Sequence, residues 1–205
     1  MSDDIFGSII VASDVEEAAT ATLKMWFPTY LAFFQRKLEL TAGTLPAPQN
    51  YTTRNVFDAE QGEQIPKVVV ISPGLAAPPK QYGNGQYHAV WRLGVGVATA
   101  AKDEETANMM VKAYGAAVRS IILQKQALGG TLPITGIAWE EESYNSIPIP
   151  APIMLYKAVS IFFMVEVNDV ITLGKGPLTP GIGVPADWPV VDTVDIELDI
   201  EEVNS

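Results

Sequence analysis

The chain of 205 residues contains no cysteine. Disulfides, thiol nucleophiles and cysteine-ligated zinc are therefore excluded. Histidine is nearly absent as well. The single copy, His88, falls on the less apolar face of a β-type run, where a lone histidine is a structural residue far more often than a base or ligand. Basic residues are scarce, 13 against 24 acids, for a net charge of −11. Such a surface repels phosphates and argues against direct reading of DNA sequence. No apolar run approaches the ~20 residues that cross a bilayer. The opening Met1-Ser2-Asp3-Asp4 is acidic where a signal peptide is basic, so the expectation is a soluble protein made in a cytoplasm. Nucleotide-binding and hydrolase signatures are missing too. There is no GxxxxGK[ST] and no GxSxG, and Gly94-Val95-Gly96 lies inside a strand pattern and not at a strand-to-helix turn.

What is present is a packed α+β pattern, with 48% apolar and 18% charged residues. Its centre is residues 87–123. Tyr87, Ala89, Trp91, Leu93, Val95 and Val97 alternate with His88, Val90, Arg92, Gly94, Gly96 and Ala98, a strand with one continuous apolar face. A helix follows at once, opened by Lys102-Asp103-Glu104-Glu105-Thr106, with Met110, Val111, Tyr114, Val118, Ile121 and Ile122 as its core-facing stripe. Upstream, Ser13 and Glu16 have capping-box spacing and start a helix over residues 13–40. Pro28 predicts a kink or break in it. The aromatics Trp26, Phe27, Tyr30, Phe33 and Phe34 are more than one face hides, so part of this helix is a candidate for contact with another subunit.

Residues 41–63 read as an irregular connector, 66–72 as a short buried strand and 75–85 as a Pro/Gly-rich loop. Leu128-Gly129-Gly130 is a helix stop. Residues 134–144 and 153–168 read as strands, joined by an extended Pro148/Pro150/Pro152 turn. Together these predict a mainly antiparallel four-stranded sheet flanked by two helices, a single domain over residues 1–171. Residues 172–205 form a Pro/Gly linker and an acidic arm. In the arm Val194, Ile196, Leu198 and Ile200 alternate with Asp195, Glu197, Asp199 and Glu201, a half-buried strand at the end of a tether. The run Glu140-Glu141-Glu142 offers paired carboxylates. In a regular strand Glu140 and Glu142 share a face with Glu141 opposite, and with no basic partner nearby in sequence they read as a solvated face or channel lining. Asn50-Tyr51-Thr52 matches a glycosylation pattern that carries little weight without a secretory signal.

The element order resembles the tail terminator proteins of long-tailed bacteriophages, particularly those infecting actinobacteria. The residues that carry the likeness begin with Trp26-Phe27-Pro28-Thr29-Tyr30-Leu31-Ala32 and Leu45-Pro46-Ala47-Pro48. They continue with Ile65-Pro66-Lys67-Val68-Val69-Val70-Ile71-Ser72-Pro73-Gly74 and the Trp91 strand. Tyr114-Gly115-Ala116-Ala117-Val118-Arg119, Gln124 and Leu128-Gly129-Gly130 complete the set, within residues 13–168. The resemblance implies a structural virion protein without catalytic residues, cofactor or metal. It implies a homohexameric ring that caps the head-proximal end of the tail tube, ends tube growth, contacts the tail tube protein and the neck or head-completion protein, and lets DNA pass through. A tail tube subunit shares the fold and is the nearest rival, with another head–tail connector ring subunit beside it; a small enzyme or ligand-binding domain is the rival from another class. On the ring reading, Glu140 and Glu142, or the loop at 75–85, line an acidic lumen. Val194, Ile196, Leu198 and Ile200 either add as a strand to a neighbour's sheet edge or fold back on their own subunit's edge.

Overall fold

The computed structural model describes residues 9–53, 64–82, 86–148 and 154–172. Two helices, α1 (Ala12–Lys37) and α2 (Glu104–Gln124), lie against one sheet. The strands are β1 (Asn50–Thr52), β2 (Lys67–Gln81), β3 (Tyr87–Ala101), β4 (Ile134–Ser146) and β5 (Leu155–Ile171). Their order across the sheet is β1-β2-β3-β5-β4. The α+β class agrees with the sequence reading, but the sheet is five-stranded and mixed. The extra strand, β1, pairs in parallel with β2 through Asn50↔Lys67 to Thr52↔Val69. Three residues in a proline-punctuated connector are too few to show a period of two. The other pairings are antiparallel. β5 sits between β3 and β4, so these two run parallel to each other, and α2 is the crossover that joins them.

The alternation in β3 sorts its side chains as the sequence predicts. Ala89, Leu93, Val95 and Val97 enter the main core with Val68 and Val70 of β2 and Val159, Ile161, Phe163, Val165 and Val167 of β5. The helices close this face. α1 contributes Val15, Ala19, Leu23, Phe27 and Leu31, and α2 contributes Val111, Tyr114, Val118, Ile121 and Ile122. On the opposite face a small second cluster, Val69, Ala98, Ala158 and Ile147, covers one end of the sheet.

Local chemistry explains the helix ends. Asp103 caps α2 by accepting the Thr106 amide at 2.8 Å, and that bond holds the Asp103 carboxyl below its usual range. At α1 the expected Ser13/Glu16 box is not used. Asp14 accepts the Val11 amide at 2.7 Å, and Glu16 instead reaches across to accept the Ser72 amide of β2. Nor does Pro28 break the helix, which runs unbroken from Ala12 to Lys37. Pro28 sits on the exposed side, and Lys24, whose carbonyl loses its partner, is exposed as well, so water can take the place of the missing donor.

β2 also departs from expectation. It continues through most of the predicted 75–85 loop as far as Gln81. Register shifts between Ile71 and Gly74, Leu75 and Ala77, and Ala77 and Lys80 accommodate Pro73, Pro78 and Pro79. Prolines are tolerated there because, among the described residues, β1 covers only Lys67–Val69 and the rest of β2 is a sheet edge. Residues 173–205, with Val194, Ile196, Leu198 and Ile200, lie outside the described residues, as do 54–63 and the proline run at 149–153.

The two helices and the connector meet at Tyr114. Its ring is fully buried beside Phe27 at 6.4 Å between centroids, and its hydroxyl donates to the Pro46 carbonyl at 2.6 Å. Burial pushes this phenol well above the usual tyrosine range. Tyr114→Phe keeps the packing and leaves the carbonyl without its donor, so it is expected to lower unfolding free energy by about 1 kcal/mol in urea titrations.

Candidate functional site

The densest polar constellation is built where β3, β5 and β4 run side by side, and it occupies both faces of the sheet. The cause is a β-bulge in β4. Trp139 opposes Phe163, yet Glu141 opposes Phe162, so Glu140 is an extra residue and the alternation of faces changes phase there. Before the bulge Ile137 and Trp139 lie on the helix-covered side; after it Glu142 and Tyr144 do, opposite Ile161 and Val159. Glu140 and Glu142 therefore do not share a face. Glu140 stays on the open side with Glu141, and Glu142 turns under α2.

On the open side, Arg92 of β3 gathers both carboxylates. Its Nε is 2.9 Å from Glu140 Oε2, and its Nη2 is 3.4 Å from Glu141 Oε2. The guanidinium stacks over the Phe162 ring at 4.2 Å. Phe162 can lie there because its cross-strand neighbour is Gly94, where a Cβ would come within 2.9 Å of the ring. On the helix side, Arg119 of α2 pairs with Glu142, and the Tyr144 hydroxyl donates to the same carboxylate. Gly115, one turn earlier on α2, allows this approach, since a Cβ would meet the Tyr144 hydroxyl at 2.9 Å and Val159 at 3.2 Å. Arg119 also lies over Trp139 at 4.7 Å. Burial first, then the hydrogen bond to Glu142 and its charge, push Tyr144 up to about 12. This favours the protonated phenol in the fold, so the contribution of the bond is complete below the ordinary tyrosine range and is lost as pH rises through about 12.

The three glutamates thus have cationic partners that sequence spacing concealed, 48 and 49 residues away for Arg92 and 23 for Arg119. The one local signal was an arginine inside an otherwise apolar strand. The guanidinium–carboxylate pairs tie β4 to β3 and to α2.

His88 lies elsewhere, its ring 3.8 Å from that of Tyr82. It borders a cleft of about 370 Å³ that Lys80, Thr135, Glu166 and Asn168 also line. Among the described residues no group of three His, Asp or Glu side chains is placed to hold a metal ion.

A third feature is the groove between the helices. Two adjoining cavities of about 740 and 390 Å³ share Phe34 and run between α1 and α2. Of the aromatic run in α1, Phe27 is core, Trp26, Tyr30 and Phe34 are half-buried against it, and Phe33 is 49% exposed. Lys37 and Lys112 line the larger cavity, and Arg36 the smaller.

No helix among the described residues is long and apolar enough to cross a membrane. No protein-family model matches the sequence, and comparison with curated proteins finds no relative.

Proposed function

We propose that the chain is a ring-forming structural subunit of a phage tail, the terminator that caps the head-proximal end of the tail tube and joins it to the neck. The observation that carries this reading is the sheet face opposite the helices. Both helices pack on one side, and on the other Arg92, Phe162 and Met164 lie side by side on neighbouring strands, with no helix or strand among the described residues above them. Met164 is 36% exposed, and Trp139 and Tyr144 at the adjoining β4 edge are 49% and 43% exposed. Large apolar side chains gathered on a sheet face and its edge suit burial against a copy of the same chain. The open-face carboxylates suit a conduit. Glu140 and Glu141 exceed the single positive charge of Arg92, and a lumen with residual negative charge does not hold DNA. In this arrangement Glu140, together with the projecting β2–β3 hairpin, faces the lumen, while Glu142 holds α2 to the sheet.

The purified full chain is expected to form closed rings, hexameric in the family it resembles, in native mass measurement and negative-stain micrographs. Open-ended tubes would instead identify a tube subunit. A monomer that binds a small ligand in the His88 cleft would overturn the structural reading.

A further inference from the structure

We infer that the groove between α1 and α2 is the seat of the chain's own C-terminal segment, residues 194–200, laid along it in extended form. The inference is independent of the ring reading, since it concerns how one subunit covers its helices.

The groove and the segment match in chemistry. Phe33, Phe34, Leu38 and Met109 provide an apolar floor and wall, and Arg36, Lys37 and Lys112 stand at the rim. These three bases form no ion pair among the described residues, in contrast to Arg92, Arg119 and Lys157, which do. Lys125 adds a further cation, its Nζ 3.8 Å from the centre of the Trp26 ring at the far end. The acids of the groove are confined to one end. They are Glu104, which Lys157 holds at 3.2 Å, and Glu105. The segment is the complement, with Val194, Ile196, Leu198 and Ile200 on one side and Asp195, Glu197, Asp199 and Glu201 on the other. Laid in extended form, it would set its apolar side into the groove and leave its carboxylates level with the rim.

Reach and length agree. β5 ends beside the start of α1, where the Ile10 amide donates to the Val170 carbonyl at 2.8 Å. From there to Phe34 is roughly 36 Å along the helix. The residues between 172 and 194 span up to roughly 70 Å when extended. Seven residues of strand cover about 20 Å, against about 28 Å of α2 bordering the groove. A tether of this length also makes binding intramolecular, which favours the chain's own segment over a neighbour's.

The sheet edges are less suitable hosts. The outer edge of β2 carries Pro73, Pro78 and Pro79, which have no N–H to donate. β4 carries three carboxylates whose guanidinium partners are already engaged, so the acidic segment would meet repulsion there.

The absence of native cysteine makes the test direct. Two full-length double variants are oxidised and compared on non-reducing gels: Leu198→Cys with Met109→Cys in the groove, and Leu198→Cys with Ala138→Cys on β4. The groove pair is expected to close within one chain in most molecules, and the β4 pair in few. Links between two chains, equal linking of both pairs, or no link in either would each overturn the inference. In the groove pair, Lys37→Glu with Lys112→Glu is expected to slow closure about ten-fold at low salt, with recovery on adding Asp195→Lys and Glu197→Lys. An unchanged rate would overturn the role given to the basic rim. All of these positions are exposed, half-buried or in the arm, so circular dichroism of each variant is expected to match the parent.

Discussion

Arg119→Met is expected to destabilise the fold by about 2–3 kcal/mol in urea or guanidinium titration. The reason is the carboxylate it leaves behind more than the guanidinium it removes. The Glu142 side chain is only 8% exposed, whereas that of Arg119 is 31% exposed. Breaking a buried pair by removing one member typically costs about 3–5 kcal/mol, and the partial exposure of Arg119 places this case below that range. Methionine keeps most of the arginine's apolar stem and removes the guanidinium that lies over Trp139, so the loss reports the charged head more than side-chain volume. The second arm of the experiment distinguishes this account from simple loss of packing. Glu142→Gln removes the stranded charge and keeps an oxygen for the Tyr144 hydroxyl, so the Arg119→Met/Glu142→Gln pair is expected to recover at least half of what Arg119→Met loses. A double variant as unstable as the single would show that the guanidinium acts by packing alone.

Phe163→Ala is expected to cost more, about 4 kcal/mol. Phe163 is fully buried in the middle of β5, opposite Leu93 on one side and Trp139 on the other. One ring therefore fills the layer between three strands and the helices above. Its removal opens a cavity that strand backbones, fixed by their ladders on both sides, cannot collapse to fill, which places the loss within the upper range for large-to-small core changes. The same truncation at Phe162, the next residue on β5, is expected to cost less than half as much by the same titration, because that ring lies on the open face under Arg92. Equal losses at the two positions would mean that the open face is as well packed as the core.

That contrast between adjacent residues was readable in advance. The face assignments of β3 and β5 follow from alternation alone, and both strands lie in the sheet interior, where partners on each side enforce the period. The stripe of α2 and its opening within residues 102–106 were equally plain, because helical spacing acts over a few residues. What escaped the sequence depended on partners far along the chain. The three residues of β1 form a strand only because β2 offers an edge to them. Pro73, Pro78 and Pro79 argue for a loop until β2 is seen as an edge where an absent N–H does no harm. Glu16 has capping spacing, yet the Ser72 amide claims it from 56 residues away. The site was misread for the same reason. The alternation of Glu140, Glu141 and Glu142 is correct for a regular strand, and only the register against β5 reveals the extra residue.

That extra residue has a consequence for how the gene can change in length. β3 and β5 pair without interruption from Ala89↔Val167 to Ala101↔Leu155, so losing one codon within that stretch of either strand would turn everything beyond it inside out. β4 contains slack at two points, Thr135 and Glu140, and the second lies within the charged site. Without Glu140, Trp139 would still oppose Phe163, Glu141 would still oppose Phe162, and Glu142 would still reach Arg119. Arg92 would lose its 2.9 Å partner and keep the 3.4 Å one. A position tolerant of a codon deletion thus lies within a sheet strand and not in a loop, and relatives one residue shorter at this point would keep the same two faces.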